Sequence, residues 1–416
     1  MFFLYQIFIT VIILVSPLII IIRILKKKED VKRFTEKFCF FSKRRISGKL
    51  IWLHGASVGE ILSLFPIIDE LEKDKSISQI LITSNTLSSS KIFKKYKFKK
   101  TIHQFFPIDH LYLNQKFINY WKPNIAIFVD SEIWPSMTIS LKKNQIPLIL
   151  LNARITKKSF KRWMKFQNFA NFIFNQITIS YPQNKDTKYF LKKLKLNKIK
   201  EIGNLKLIEN YKDRNNQIDK KLRSQFKKLK IWIAASTHDG EEKFCAMAHI
   251  QLKKKINNIL TIIIPRHINR VDKIISQMKS LKLKTAKHSS KLRNLNNIDI
   301  YIVDTFGETK KFFKISNSVF MGGTISTKGG QNPLEAARYG CHIFHGPNID
   351  NFKDVFALLN KQGISKEIRS IKKLVQLIKF DKKIKGSIKL KKIGRLILKK
   401  TLKELKPFIE NEPKKT

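Results

Sequence analysis

The chain opens on an almost unbroken apolar run, MFFLYQIFITVIILVSPLIIII over residues 1–22. A helix of roughly 20 such residues crosses the hydrocarbon core of a bilayer, so this pattern predicts a membrane-spanning helix over 1–25. Pro17 lies inside it, which membrane helices tolerate. Arg23, Lys26, Lys27 and Lys28 follow the apolar run. A cleaved signal peptide carries its positive charge in front and a small-residue site behind. Charge placed behind keeps the following chain on the cytoplasmic side. The segment is therefore read as a single uncleaved anchor; a buried core helix is the competing reading, but no equally apolar partner follows. Residues 26–48 are basic with interleaved Phe34, Phe38, Phe40 and Phe41. They suit a juxtamembrane segment resting on anionic headgroups, or a solvated linker.

From residue 49 the pattern changes to short apolar runs separated by segments of helical spacing. LIWLHG (50–55), QILITS (79–84), IAIFVD (125–130), IPLILLN (146–152) and QITIS (176–180) read as strands, with SVGEILSLFPIIDEL between the first two as a helix. Residues 208–228 are polar and read as a linker or surface helix. The alternation then restarts with IWIAAS (231–236), ILTIIIP (259–265), IYIVD (300–304), SVFMGG (318–323) and HIFHG (342–346). Short apolar strands alternating with helices imply parallel sheets covered on both faces. The fold class is α/β, with two Rossmann-like halves over 49–207 and 229–365, and a Lys-rich, helical, amphipathic tail over 366–416. Ligands in such sheets bind beyond the carboxyl ends of the strands.

Composition adds an unusual charge: 83 Lys+Arg against 31 Asp+Glu, a formal net charge of +52. Nucleic acid, an anionic membrane or an anionic substrate would each suit it. Lys, Ile and Asn are abundant throughout, loops included, so a general compositional bias contributes, and no recognised nucleic-acid-binding signature occurs. Cys39, Cys245 and Cys341 lie far apart without a CxxC pair, so their spacing suggests neither a zinc site nor a disulfide framework.

The residues that carry chemistry sit just after the strands. Ser57 and Glu60 have capping-box spacing, and Glu60 is also placed to act as a carboxylate general base. Asp130-Ser131-Glu132-Ile133-Trp134-Pro135 puts two carboxylates and a Trp at a strand end, or starts a helix with Pro135. Lys206, in GNLK, is a cation suited to negative charge on a substrate or leaving group. Ser236 and Thr237 offer amides at a helix start, and Arg266 and His267 suit phosphate or carboxylate. Gly307-Glu308 follows the IYIVD run. The densest motif has two GG pairs, Gly322-Gly323 and Gly329-Gly330, then Asn332-Pro333-Leu334-Glu335. Asn332 reads as an N-cap, Pro333 as the first helical residue and Glu335 as the third. The glycines allow close approach of backbone to a phosphate, and Glu335 is suited to ribose hydroxyls.

Together, HGASVGE (54–60), SEIWPS (131–136), LNARIT (151–156), GNLK (203–206), AASTHDGEE (234–242), PRH (265–267), GE (307–308) and GGTISTKGGQNPLEAARYG (322–340) resemble the Kdo transferases, bacterial enzymes that add 3-deoxy-D-manno-oct-2-ulosonic acid to lipid A precursors. The resemblance runs from the anchor to about residue 355. It implies a GT-B fold with two domains facing across a cleft, a CMP-Kdo donor, lipid IVA as acceptor, and inverting transfer without a metal or cofactor at the cytoplasmic face of the inner membrane. Glu60 would accept the proton, with Glu132 and Lys206 stabilising the transition state. Ser57, Arg154, Ser236, Thr237, Arg266, His267, Gly307, Glu308, Gly323, Gly330, Asn332, Pro333, Leu334 and Glu335 would bind substrate or nucleotide. Gln331, Ser131, Ile133 and Ser136 depart from the family's usual residues. Expected partners are CMP-Kdo, lipid IVA and an anionic membrane surface, with no nucleic acid. A UDP-sugar GT-B enzyme, and more remotely a non-enzymatic basic membrane or nucleic-acid-binding protein, are the alternatives.

Overall fold

The structure, a computed structural model, describes residues 1–208, 218–290, 294–380 and 386–410. It divides into two compact units, Met1–Tyr211 with Ile393–Thr416, and Lys212–Lys392. Residues 209–217 of the linker expected over 208–228 lie outside the described residues; its later part forms the helix Lys220–Phe226, whose Phe226 is buried in the second unit.

The first unit is built on six parallel strands: β1 (Lys49–His54), β2 (Ile77–Ser84), β3 (Thr101–Phe105), β4 (Ile125–Val129), β5 (Leu148–Ala153) and β6 (Ile179–Pro182). Their order is β3-β2-β1-β4-β5-β6. Successive side chains on a strand point to opposite faces, and here both faces are dry. Ile51 and Leu53 enter one core with Ile80, Ile82, Ile127 and the helix Val58–Leu71. Leu50 and Trp52 enter the other with Phe117, Ala126, Phe128 and Met137. Two buried faces are why these strands read as continuous apolar runs rather than alternating ones.

The tail partly returns to this unit. Ile397, Leu405 and Ile409 of the helix Gly386–Glu410 complete the first of those cores. Glu404 accepts hydrogen bonds from the Tyr181 hydroxyl at 3.0 Å and Lys200 Nζ at 2.8 Å.

The amino-terminal helix, Phe2–Leu25, is long and apolar enough to cross a membrane by length and composition. One stripe of it packs on the first unit: Ile9, Ser16 and Ile20 are buried, Tyr5 Oη donates to Asp109 Oδ2 at 2.7 Å and Gln6 Nε2 to Ser136 Oγ at 2.6 Å. Phe3, Leu4, Phe8, Val11, Leu14 and Leu18 face outward. The segment expected to lie on headgroups or in solvent is partly folded onto the same unit, with Lys26, Lys27, Lys28, Phe40 and Lys43 still exposed. Glu36 is fully buried, bound by Arg33 at 2.7 and 2.8 Å and by the Phe105 N–H at 2.8 Å. Phe41 stacks on Tyr120 with centroids 3.9 Å apart. The aromatic residues among its lysines are thus in part packing residues.

The second unit carries seven parallel strands: β7 (Lys230–Thr237), β8 (Ile259–Pro265), β9 (Thr285–Lys287), β10 (Ile300–Ile302), β11 (Ser318–Met321), β12 (His342–His345) and β13 (Ser365–Glu367), ordered β13-β12-β11-β7-β8-β10-β9. Trp232, Ala234 and Ile263 pack with the helices Glu241–Lys253 and Val271–Ser280. β3, β9 and β13 are strands the sequence pattern does not announce. All three are edges, and β9 and β13 have three residues each. β13 also corrects the helical expectation at Lys366 and Glu367, and β6 starts at Ile179 rather than at 176.

Candidate active site

Each sheet reverses its winding beside its first strand, between β1 and β4 in one unit and between β7 and β11 in the other. These are the switch points where open α/β sheets leave a crevice for ligands, and the sequence motifs after β1, β4, β7 and β11 fall on them.

In the first unit, β1 ends at His54 and the chain turns into the helix Val58–Leu71. Ser57 and Glu60 form the expected capping box: Ser57 Oγ accepts from the Glu60 N–H at 3.4 Å. Glu60 Oε2 accepts from the Ala56 and Ser57 N–H groups at 2.7 and 3.4 Å, and its Oε1 from Ser57 Oγ at 2.7 Å. The cap and the candidate base are thus the same carboxylate. Burial pushes its pKa above the usual carboxylate value, with the nearby charges of Glu132 and Asp130 adding to the rise against the pull of Ser57. A carboxylate made more basic while remaining half-exposed is suited to take a proton.

β4 delivers the other two carboxylates. Glu132 Oε2 is held by His54 Nε2 at 3.2 Å and Trp134 Nε1 at 2.9 Å. His54 is itself fully buried, its Nδ1 2.9 Å from Thr83 Oγ1. Asp130 takes a left-handed backbone (φ 57°), as does Asn152 at the end of β5 (φ 53°), where the pairing with β6 slips by a residue. Non-glycine residues held there are strained and gather at functional sites. The two are joined: Asn152 Nδ2 donates to Asp130 Oδ1 at 2.5 Å, and Asn152 Oδ1 accepts the Leu205 N–H at 2.9 Å, fixing the GNLK loop. Lys206 Nζ meets Asp130 Oδ2 at 2.6 Å. The cation expected to face a leaving group is thus paired with a carboxylate of its own unit. Arg154 lines a cavity of ≈ 420 Å³ with Ser131, Ile133, Ser159, Arg162 and Trp163.

In the second unit, β7 ends in a bulge at Ser236, again left-handed (φ 55°). Gly322, at the end of β11, lies against it so closely that a Cβ would stand 2.3 Å from Ser236 O, so no other residue fits there. Thr237 is buried. Arg266 and His267 leave β8 exposed, with the His267 ring 5.8 Å from that of His238. Burial lowers the His238 pKa. Glu308 pairs with Lys311 at 2.7 Å and Glu335 with Lys310 at 3.4 Å, so Gly307-Glu308 and Glu335 are tied to one lysine pair. The final motif starts its helix one residue later than expected. The helix is Leu334–Arg338 and Pro333 is its cap, although Asn332 Oδ1 still accepts the Leu334 N–H at 3.1 Å. Gly330 N–H donates to Gly323 O at 2.7 Å. The Gly323 N–H, expected to meet a phosphate, is already taken by Glu241 at 2.7 Å.

Two switch-point sites bearing these motifs can be compared with known proteins. The sequence profile of the family described as 3-deoxy-D-manno-octulosonic-acid transferase (kdotransferase) matches residues 32–208. The 3-deoxy-D-manno-octulosonic acid transferase of Rickettsia bellii is 33% identical over 363 residues, 87% of this chain and 86% of that protein. The chain belongs to the Kdo transferase family. Among solved structures, a glycosyltransferase from Rickettsia africae aligns with a TM-score of 0.57 at 13% identity over 88% of this chain and all of that one. A putative UDP-N-acetylglucosamine 2-epimerase from Listeria monocytogenes aligns with 0.58 at 12% identity, over 88% of this chain and 98% of that one. These likenesses show the fold, which is of GT-B type. Within this Kdo transferase, three residues with structural work at the two sites were not singled out from sequence as site residues: His54, Asn152 and Glu241. All lie inside the quoted motifs or beside them, but their partners are supplied by tertiary structure.

Proposed function

We propose that this Kdo transferase moves Kdo from CMP-Kdo to lipid IVA, with inversion and without a metal or cofactor, at the cytoplasmic face of the bacterial inner membrane. The observation that carries the reading is Glu60: a half-exposed carboxylate of raised pKa, at a switch point, with Glu132 and Asp130 close enough to raise it.

Glu60 accepts the proton of the acceptor hydroxyl as its oxygen bonds to the anomeric carbon of Kdo. The bond from that carbon to the phosphate oxygen of CMP breaks, and CMP departs with the electron pair. Positive charge grows at the sugar, where the Glu132 carboxylate, oriented by His54 and Trp134, is favourable. Negative charge grows on the phosphate, the task assigned to Arg266 and His267, with the Lys206–Asp130 pair holding the GNLK loop in place. Ser236, Thr237, Gly307, Glu308, Gly330 and Asn332 to Glu335 bind the nucleotide, and Ser57 and Arg154 the acceptor side. The outward apolar face of the amino-terminal helix holds the enzyme where a lipid acceptor resides.

The test is transfer by purified protein from CMP-Kdo, generated in situ, to lipid IVA, followed by mass spectrometry. A gain of one or more Kdo masses, abolished in Glu60→Ala, is expected. No gain from a folded protein that binds CMP would sink the acceptor, and loss of CMP binding as well would sink the donor in favour of a UDP-sugar.

A further inference from the structure

Glu241 opens the helix Glu241–Lys253 and is only 1% exposed. Its carboxylate accepts five backbone N–H groups. Oε1 takes those of Thr324, Ile325 and Ser326 at 3.0, 3.0 and 3.2 Å; Oε2 takes those of Gly323 and His238 at 2.7 and 2.9 Å. Four of the donors are consecutive residues of the glycine-rich loop after β11. Consecutive N–H groups that converge at a strand end form a nest for an anion. Here the nest is filled by an anion of the chain itself.

Two consequences follow from electrostatics. The loop is held in its left-handed turn (Gly323 φ 72°) by a charge that the chain itself supplies. A second phosphate reaching this loop would meet neither free donors nor a favourable field, because the donors are used and a fixed negative charge stands behind them. A donor with one phosphate needs only one anion site, and Arg266 and His267 at the end of β8 offer that.

We infer that Glu241 is a specificity-determining residue, a built-in anion that positions the glycine-rich loop and selects nucleoside-monophosphate donors over nucleoside-diphosphate ones. The inference rests on the CMP-sugar reading above and says which feature of the site enforces it.

The experiment is calorimetric titration of the full-length protein with CMP and with CDP, which share a base and differ by one phosphate. Wild type is expected to prefer CMP by about tenfold or more. In Glu241→Gln the amide nitrogen would confront part of the donor set, and the CMP:CDP preference should narrow by about tenfold, chiefly through tighter CDP binding. Glu241→Ala leaves the nest empty, and formate should restore the CMP preference by refilling it while neutral formamide does not. An unchanged ratio in folded Glu241→Gln overturns the inference alone. Rescue by formamide as good as by formate overturns it too, since the side chain would then act by volume. Wild type that binds neither nucleotide would bring down the CMP-sugar reading and this inference with it.

Discussion

Glu60 has two demands on one carboxylate: it closes a helix amino terminus and it stands beside two other acids. Its pKa is raised, so Glu60 loses its proton only above the ordinary carboxylate value. In the proposed role of general base it would work deprotonated, so transfer should fall as pH drops through that raised pKa. The acid limb of the rate profile should therefore lie above pH ~4.5. Replacing Glu132 by Gln removes one of the charges that raise it, and the limb of the remaining activity should move to lower pH. Replacing Ser57 by Ala removes a bond that lowers it, and should move the limb to higher pH. A limb that stays in place in both variants would exclude Glu60 as the titrating base. For stability the sign is opposite to that of an acid whose pKa is lowered by an ion pair. A raised folded pKa favours the protonated folded state, so this contribution is present below ~4.5 and lost as pH rises through the folded value. Lys206 makes a second prediction. Lys206→Ala would leave Asp130, 6% exposed, without its cation. A loss of roughly 3–5 kcal/mol is expected on this basis, and denaturant unfolding measures it. Lys206→Ala with Asp130→Asn should recover much of that loss. At this scale the sequence shows Glu60 and Glu132 because they stand in local motifs at strand ends. It does not show that His54 aims Glu132, or that Asn152 clamps Asp130, because each pair spans a sheet register or a crossover.

At the scale of elements, legibility follows burial. β1, β4, β7 and β8 sit in the middle of their sheets and are dry on both faces, so they read as apolar runs. β3, with its buried His103 and Gln104, and the three-residue edges β9 and β13 carry no such run. The tail is helical by pattern, but nothing in its spacing says which unit it joins. The buried row Ile397, Leu405 and Ile409 does so in the structure. Leu405, fully buried, is therefore a core residue of the first unit despite lying near the end of the chain. Leu405→Ala should cost about 2–5 kcal/mol. The early unfolding phase should report the first unit, through Trp52 and Trp121, while CMP binding by the second unit persists. Loss of CMP binding in step with that phase would contradict the assignment of the helix. The amino-terminal helix is the other element whose role depends on packing. Its docked stripe carries Tyr5 and Gln6, polar residues that an anchor wholly surrounded by lipid would not favour, and both are hydrogen-bonded to the body. Deleting residues 1–25 should shift the protein from membrane pellet to supernatant and leave CMP binding intact. It should also reduce transfer to lipid IVA more in vesicles than in detergent, where the acceptor no longer has to be met at a surface.

For the whole molecule the open quantity is charge. A net +52 on 416 residues destabilises the compact state by self-repulsion, so its retention calls for a partner or a bias. The helix Lys157–Met164, with Lys157, Lys158, Lys161 and Arg162, has no buried residue at all. That helix belongs to the same unit as the amino-terminal helix, and Trp163 on it contacts Phe169, which in turn stacks on Phe2. Basic residues next to an outward apolar face are what an anionic leaflet attracts, and attraction of that kind is screened over about 10 Å at 0.1 M salt. Flotation with vesicles separates the two contributions. Binding to vesicles containing anionic lipid should weaken steeply between roughly 0.05 and 0.5 M salt, whereas binding to neutral vesicles, carried by the apolar face, should change little. If both kinds of vesicle bind alike at every salt, the lysines contribute nothing at the membrane and the charge is compositional. If an added oligonucleotide displaces the protein from anionic vesicles at low salt but not at physiological salt, that competition is the nonspecific electrostatics any such surface shows. Displacement that persists at physiological salt would instead restore nucleic acid as a partner.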